Sequence, residues 1–295
     1  GGIHVMKTNK NQVGGLKTTI INTLVHIFLA VLSFIWVLPI IWIVLTSFRA
    51  EKGSYVKTFF PKGYTLDNYI KLFTDHTILN FQQMFMNTLI IAIFSCLFTT
   101  FMVLSVSYCM SRLRFAFRKP YMNIAMVLTL FPGFMSMIAI YFILKAFGLT
   151  EGNMIKVALV MVYSGGAGLG FYIAKGFFDT IPKSLDEAAL LDGATKFQIF
   201  TKVTIPLSKP IIVYTVLTSF IAPWVDFVFA KVICKANADQ FTVAIGMWNM
   251  LQKEYIHQWY TAFAAAAVCV SIPIAILFMF MQKYYVEGMA GAVKG

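Results

Sequence analysis

Long apolar runs, separated by short polar connections, dominate the pattern of the chain. Six such runs can be delimited: Ile20–Thr46, Phe85–Met110, Tyr121–Leu144, Val157–Ala174, Ile211–Ile233 and Ala262–Tyr285. A helix that crosses a bilayer needs about 20 predominantly apolar residues, whereas a helix on the surface of a soluble domain keeps one polar face. We therefore predict an all-α membrane protein with six transmembrane helices.

Composition supports this class and excludes others. Hydrophobic residues make up 59% of the chain and charged residues 12%, about half the charged share of soluble domains. The net charge of +12 is carried mostly by loops beside the apolar runs, where basic residues set membrane topology. We therefore expect contact with lipid and none with nucleic acid. The four cysteines lie in or at the ends of apolar runs without metal-ligand spacing, so we expect no metal site.

The loop between the second and third runs indicates the orientation. Residues 111–120 contain Arg112, Arg114, Arg118 and Lys119, and short loops rich in such residues stay in the cytoplasm. This predicts that both termini are cytoplasmic. The chain then divides into a cytoplasmic N-terminal segment (1–19, of which 1–5 is typical of a cloning scar), a six-span domain (20–285) and a cytoplasmic tail (286–295).

A polar segment between the fourth and fifth runs, Pro182–Pro210, is too hydrophilic to cross a membrane. Ser184 and Glu187 have the spacing of a capping box, in which each side chain bonds the other residue's backbone amide. Gly193 suits the C-terminal stop of the helix that would follow. The pattern therefore predicts a short, capped helix on the cytoplasmic side.

A second short helix follows the same glycine. Thr195 can start it, Phe197 would be presented on its surface, and Pro206 would end it. Ala188 and Ala189 give the first helix a smooth face on which a partner's backbone can pack closely. We therefore predict a pair of cytoplasmic helices, called here the coupling segment (182–210), that meet at a glycine elbow.

The spacing within this segment resembles a known motif. Glu187-Ala188-Ala189, three residues, Gly193, nine residues and Val203-Thr204-Ile205-Pro206 resemble the EAA loop of ABC importer permeases. In that family the loop inserts into a cleft of a cytoplasmic ATPase. The resemblance implies ATPase contacts for Glu187, Ala188, Ala189, Gly193, Phe197 and Pro206, and an ion pair between Glu187 and a basic residue of the ATPase.

Other stretches resemble the carbohydrate-uptake permeases of this family. They are Thr65–Tyr69, Asn87-Thr88, Ser111–Phe115 and the ending Gly288–Gly295, which is similar to the tail of six-span maltose-type permease subunits. The resemblance implies an oligosaccharide cargo: malto-oligosaccharide is the first choice, and galactosides, raffinose-type and alginate-type oligosaccharides stay open.

The same resemblance implies a heteromeric importer in a prokaryotic cytoplasmic membrane. Its other parts would be a second permease subunit, two copies of an ATPase subunit and an extracellular or periplasmic sugar-binding protein. ATP and Mg²⁺ would belong to the ATPase, so this chain would be a transport component without enzymatic activity or a cofactor of its own.

Asp226 is the one acidic residue well inside an apolar run. An intramembrane carboxylate is a candidate functional group, and Asp226, Trp224 and Asn87 are candidates for the substrate pathway. The alternative is a carboxylate that pairs with a neighbouring helix or faces an aqueous cavity. A transporter of another class, coupled to an ion gradient through Asp226, is the main rival, although one acid is sparse for an ion relay.

Three further features have two interpretations each. The tail residues Val293, Lys294 and Gly295 either reach the ATPase dimer, as the resemblance suggests, or fray. Trp248, Trp259 and Tyr260 either dock the binding protein or form an interfacial aromatic belt. The run 164–170 is rich in glycine but lacks the Lys-Ser/Thr of a phosphate loop, so we predict close helix packing through Gly166 and Gly170.

Overall fold

Every regular element in the described part of the chain is a helix. The computed structural model describes residues 16–53, 58–131, 133–168 and 170–292, with side chains from 18 to 284 within those ranges. Within them, the only extended pairing is an isolated antiparallel bridge between Arg49 and Tyr64. The prediction of an all-α protein is confirmed.

The helices follow one another with short connections. In chain order they are α1 Leu16–Ser47, α2 Asp67–Thr74, α3 Phe81–Arg112, α4 Arg118–Thr129, α5 Gly133–Ala146, α6 Met154–Gly165, α7 Tyr172–Thr180, α8 Lys183–Leu191, α9 Lys196–Ile199, α10 Ile205–Leu207, α11 Lys209–Val225, α12 Val228–Cys234, α13 Val243–Met250 and α14 Ile256–Ala292. Two 3₁₀ turns, Gly166–Gly168 and Ala238–Gln240, and a π-helical stretch, Phe200–Thr204, complete the order.

Among the residues that the structure describes, three helices are long and apolar enough to cross a membrane, and the number rises to six if each bent pair forms one span. The three are α1 from Thr18 onward, α3, and α14 as far as Tyr284. The bent pairs are α4 with α5 (102°), α6 with α7 (44°), and the stretch Lys196–Leu207 with α11 (83°). The runs predicted as spans one, two and six are thus single helices.

The runs predicted as spans three, four and five are interrupted. In the fourth, the 3₁₀ turn intervenes, and the amide of Gly170 donates to the carbonyl of Gly166 (2.8 Å). A Cβ added to Gly166 would have no neighbour within 4 Å, and one added to Gly170 would meet only the carbonyl of Gly166. Among the described residues, the predicted close packing of another helix on these glycines is therefore not found. In the fifth, α11 ends two residues after Pro223, where Asp226 has extended backbone angles (φ −80°, ψ 115°). A proline removes a helical hydrogen bond and commonly precedes such breaks.

Helix α3 is the centre of the bundle. It packs against α6, α7 and α11, and α11 packs in turn on α14. Side chains such as Ile91, Ile155 and Leu159 are fully buried between these helices. The hydroxyl of Ser95, also buried, donates to the carbonyl of Ile91 (2.7 Å), so this polar group satisfies its hydrogen bond inside the helix.

Helix α1 stands at the edge of this bundle. It packs on α14, while large apolar side chains such as Phe28, Phe34 and Trp36 are exposed. A helix that is apolar on all sides must be covered by lipid or by another protein surface. The outward surface of α1 therefore suits the interior of a membrane.

The two ends of α3 contact different parts of the chain. Near its N-terminus, the amides of Gln83 and Asn87 both donate to the carbonyl of Asp239 (3.0 and 2.8 Å). At its C-terminus, Ser111 contacts Asp179 at the end of α7, and Arg112 contacts Ile181 and, on α8, Asp186. Helix α3 thus links the loop before α13 to the coupling segment.

Candidate functional site

The first helix of the coupling segment, α8, begins without a side-chain cap. Pro182 is extended (φ −56°, ψ 129°), the helix starts at Lys183, and Ser184 lies inside its first turn. The predicted Ser184–Glu187 capping box is wrong, because a capping serine must stand outside the helix to reach the free amides. Glu187 is exposed, and its carboxylate takes part in none of the hydrogen bonds or ion pairs found among the described residues.

The elbow after α8 is a helix C-cap closed by two backbone bonds. The amide of Ala194 donates to the carbonyl of Ala189 (2.9 Å), and the amide of Gly193 donates to that of Leu190 (3.0 Å). Gly193 has a left-handed backbone (φ +83°). This is the Schellman arrangement, which favours glycine at this position, and the predicted stop at Gly193 is confirmed.

The second half of the segment has the capping box that the first half lacks. The amide of Gln198 donates to the Thr195 hydroxyl (3.3 Å), and the amide of Thr195 donates to the Gln198 side chain (2.7 Å). The helix continues through the π-helical stretch and ends at Leu207, not at Pro206 as predicted. The amide of Ile205 donates to the carbonyl of Phe200, five residues earlier, which is the π-helical pattern. Pro206 has no amide hydrogen and so cannot donate to a helical carbonyl.

Large apolar side chains are exposed on the coupling segment. They are Leu185, Leu190, Leu191, Phe197 and Leu207, called here the apolar patch; Leu191 is 90% exposed and Phe197 is 72% exposed. Large apolar side chains exposed on a segment too polar to cross the membrane are candidates for contact with another protein. Of the predicted ATPase contacts, Glu187, Ala188, Gly193, Phe197 and Pro206 are exposed and Ala189 is half-buried.

Two residues of α3 hold the segment in place, and sequence reasoning missed both. The Arg112 guanidinium (Nε) lies 3.2 Å from the Asp186 carboxylate, and the Tyr108 hydroxyl donates to the carbonyl of Lys196 (3.0 Å). The sequence pattern places Arg112 in a cluster of basic residues and does not indicate Asp186 as its partner. Its position in the final turn of an apolar helix was the one available signal.

Asp226 joins three elements at the break between α11 and α12. Its carboxylate accepts a hydrogen bond from the Tyr163 hydroxyl of α6 (2.7 Å) and bonds from the amides of Phe229 (3.3 Å) and Ala230 (3.1 Å). These are the contacts of a residue that caps α12 and pairs with a neighbouring helix. A half-buried carboxylate that accepts these hydrogen bonds is less costly than one without a partner.

The other two residues predicted for the substrate pathway are buried. The Asn87 amide donates to the carbonyls of Asp239 (2.8 Å) and Phe241 (3.2 Å). The Trp224 ring packs edge-on against Phe85, with centroids 5.2 Å apart. Both side chains hold the bundle together, and no described hydrogen bond joins either of them to Asp226.

The residues predicted to dock a binding protein differ in exposure. Trp248 is half-exposed and its ring lies 4.9 Å from that of Phe227. Trp259 is buried, and the Lys71 ammonium lies 4.3 Å from its ring centroid. Tyr260 is half-buried. Trp248 is therefore the tryptophan of this pair that a partner can reach. The tail residues Val293, Lys294 and Gly295 lie outside the described residues.

A family model matches the chain over residues 104–291, which include α7 to α13, the coupling segment and Asp226. The family is described as the binding-protein-dependent transport system inner membrane component. The chain belongs to this family. It is accordingly a multi-pass protein of the inner membrane and a component of an ABC transport system, as predicted.

Similar proteins extend the likeness over nearly the whole permease. The galactooligosaccharides transport system permease protein GanQ of Bacillus subtilis is 32% identical over 272 residues, 92% of this chain and 94% of its own. The maltodextrin transport system permease protein MdxG of the same organism is 30% identical over 271 residues, 92% and 95%.

A solved structure has the same fold. A chain of a bacterial ABC transporter involved in the import of the acidic polysaccharide alginate superposes with a TM-score of 0.74 and 21% sequence identity. The superposition covers 92% of this permease and 98% of that chain. The predicted ABC permease fold is confirmed.

Proposed function

We propose that this permease is one membrane subunit of an ABC importer that carries an oligosaccharide into the cell. Two relatives at 30–32% identity are named for galactooligosaccharides and maltodextrin. We take malto-oligosaccharide as the first cargo and galacto-oligosaccharide as the next. The alginate transporter supports the fold alone, because its identity to this chain is 21%.

The observation that carries the proposal is the exposed apolar patch on the coupling segment. A short, capped pair of helices presents Leu191 and Phe197 outward, next to the exposed Glu187. A soluble protein with a matching cleft would bury the patch and offer a basic partner to Glu187. We propose that this protein is an ATPase, present in two copies, which binds the ATP and Mg²⁺ of the system.

The proposed orientation has both termini and the coupling segment in the cytoplasm. Arg112 ends α3, and Arg114 and Arg118 follow it, at the end of the helix that contacts this segment; this supports a cytoplasmic location for that end. The opposite end, with the loop 235–242 and the exposed Trp248, would then face outward. There we propose that a sugar-binding protein docks.

The transport cycle we propose is alternating access. Closure of the ATPase dimer on ATP moves the coupling segment, and the bundle then opens toward the sugar-loaded binding protein. Such a movement requires that the ATPase bind the two membrane conformations with different affinity. A second permease subunit would complete the pathway and cover part of the exposed apolar surface of this chain.

An ion-coupled transporter that uses Asp226 is disfavoured. The carboxylate of Asp226 is already used by Tyr163 and by the amides that begin α12. A coupling carboxylate must exchange its partners during a transport cycle, and no second acid within an apolar span is available to share an ion with it.

Reconstitution tests the proposal. The permease, purified with its neighbouring subunits in proteoliposomes, should accumulate radiolabelled maltotriose only with ATP and binding protein present, and an ionophore should leave uptake unchanged. If uptake continues after ATP is depleted and is abolished by the ionophore, an ABC mechanism is refuted. A competition panel of galacto-, raffinose-type and alginate oligosaccharides then identifies the cargo.

A further inference from the structure

Three side chains in the last two turns of α3 hold the coupling segment and its approach. Ser111 donates to the carboxylate of Asp179 at the end of α7 (2.6 Å). Arg112 donates to the carbonyl of Ile181 (2.8 Å) and pairs with Asp186 on α8 (3.2 Å). The connection into the segment and its first helix are thus fixed to α3.

The third side chain, Tyr108, reaches the second helix of the segment. Its hydroxyl donates to the carbonyl of Lys196 (3.0 Å), and its ring lies 4.7 Å from that of Phe200. Contacts from one helix end therefore reach both sides of the Gly193 elbow, so the elbow cannot bend without breaking one of them.

The Arg112–Asp186 pair is shielded from water. The side chain of Arg112 is 4% exposed and that of Asp186 is 15% exposed. A pair in this position is screened little by salt, and separating it leaves a buried charge without a partner. The contact is a charge attraction and not a hydrogen bond, because Arg112 Nε and Asp186 Oδ1 have no hydrogen-bond partner among the described residues. The cost of separating the two shielded charges is what keeps α8 against α3.

The backbone that connects the coupling segment to α11 is sharply bent, so it transmits a movement less directly than a straight helix does. The chain leaves toward α11 through a bend of 83°. Helix α3, by contrast, is a single helix of 32 residues, about 48 Å long at 1.5 Å per residue. Its far end holds the loop before α13 through Asn87.

We propose that Arg112 is a positioning residue that makes α3 and the coupling segment one rigid body, so that α3 carries the movement of the ATPase across the membrane. The inference rests on the proposed docking of an ATPase on this segment. It adds a specific route: from Asp186 through Arg112 to α3, and from α3 to the loop around Phe241.

A covalent link across the pair tests the route. In a chain whose native cysteines are replaced by serine, Arg112→Cys and Asp186→Cys remove the ion pair, and a short bifunctional thiol reagent rejoins the two positions. The complex with the second permease, ATPase and binding protein is reconstituted. The measurements are ATPase retained on purification and maltotriose transported per ATP hydrolysed.

We expect the unlinked double variant to retain the ATPase but to transport roughly tenfold less sugar per ATP, a typical size for coupling between sites. Linking should restore the ratio. Arg114→Cys, on the exposed side of the same loop, is the matched control and should match the parent. A link that blocks transport means that α3 and the segment slide past each other, and it overturns the inference. An unlinked double variant that transports as much sugar per ATP as the parent also overturns the inference.

A second pair of variants is used in case the double-cysteine chain does not assemble with the other subunits. Arg112→Asp combined with Asp186→Arg keeps an ion pair of reversed polarity and should transport more sugar per ATP than Arg112→Asp alone. Equal coupling in the two overturns the inference. Absence of the ATPase from the purified parent complex would refute the proposed function itself, whereas loss of coupling with the ATPase retained concerns the route alone.

Discussion

The hydroxyl of Tyr163 donates a hydrogen bond of 2.7 Å to the carboxylate of Asp226. This bond joins α6 to the break between α11 and α12. The same carboxylate accepts hydrogen bonds from the amides of Phe229 and Ala230 in the first turn of α12. Asp226 therefore has a structural function at the point where a predicted span divides. An acidic residue in an apolar run indicated a functional site, but its contacts are those of a helix cap.

Asp226→Asn should retain uptake, because an asparagine oxygen can still accept from Tyr163 and cap α12. Asp226→Ala should lower the free energy of unfolding by about 1–2 kcal/mol, since it removes the cap and leaves the tyrosine hydroxyl without a partner. Thermal unfolding in detergent and ATP-driven uptake check both. Glu151→Gln, at an exposed acid in the connection between α5 and α6, is the control. Loss of uptake in Asp226→Asn with unchanged unfolding would show that the charge is needed.

Glu187→Gln should reduce transport-coupled ATP hydrolysis while leaving the fold intact. Glu187 is exposed and does not cap α8, so the substitution removes only a charge available to a partner. The measurement is binding-protein-stimulated ATPase activity of the reconstituted complex, with melting temperature as the check on folding. Near-parental stimulation would refute an ion pair between Glu187 and the ATPase.

Gly193→Ala should destabilise the elbow by about 1–2 kcal/mol, because a residue with a Cβ is disfavoured in the left-handed region. There is open space around the position, so strain of the backbone, and not a clash, is the expected cause. Gly176→Ala is the matched control: it lies within α7, also without a neighbour within 4 Å of a Cβ, and should be neutral or stabilising. Equal melting temperatures for the two variants would contradict the prediction.

Gly246→Ala should destabilise the bundle through a clash. A Cβ at Gly246 on α13 would overlap the sulfur of Met84 on α3, and overpacking of this kind costs about 1–3 kcal/mol. Met84→Ala should relieve the clash, so the double variant should be more stable than the sum of the single changes predicts. Chemical unfolding of the four proteins in a double-mutant cycle measures this coupling; strict additivity would rule out the contact.

Trp248 and Trp259 should respond differently to truncation. Trp259→Ala should cost about 3–5 kcal/mol of stability, because it empties a buried site under Lys71. Trp248→Ala, at a half-exposed ring, should leave the fold closer to the parent and weaken stimulation by the binding protein. Melting temperature and binding-protein titration of ATPase activity separate the two. Unchanged titration in Trp248→Ala would remove it from the docking surface.

Features that depend on neighbours in sequence were predictable. The first, second and sixth apolar runs are single helices, and Gly193 ends α8 as expected. The capping box was assigned to Ser184, whereas the structure has one at Thr195. Both sites have the required spacing, but the first helix begins at Lys183, two residues too early for Ser184 to stand outside it.

The sequence by itself therefore determined the class of protein, its apolar spans and the spacing of the coupling segment, because hydrophobicity and helix ends are local properties. Tertiary structure alone decided what Asp226 and Arg112 do. Each is a charged group at the edge of an apolar helix, and each can be stabilised there only by a specific partner. Those partners, Tyr163 and Asp186, lie far away along the chain and are brought close only when the helices pack.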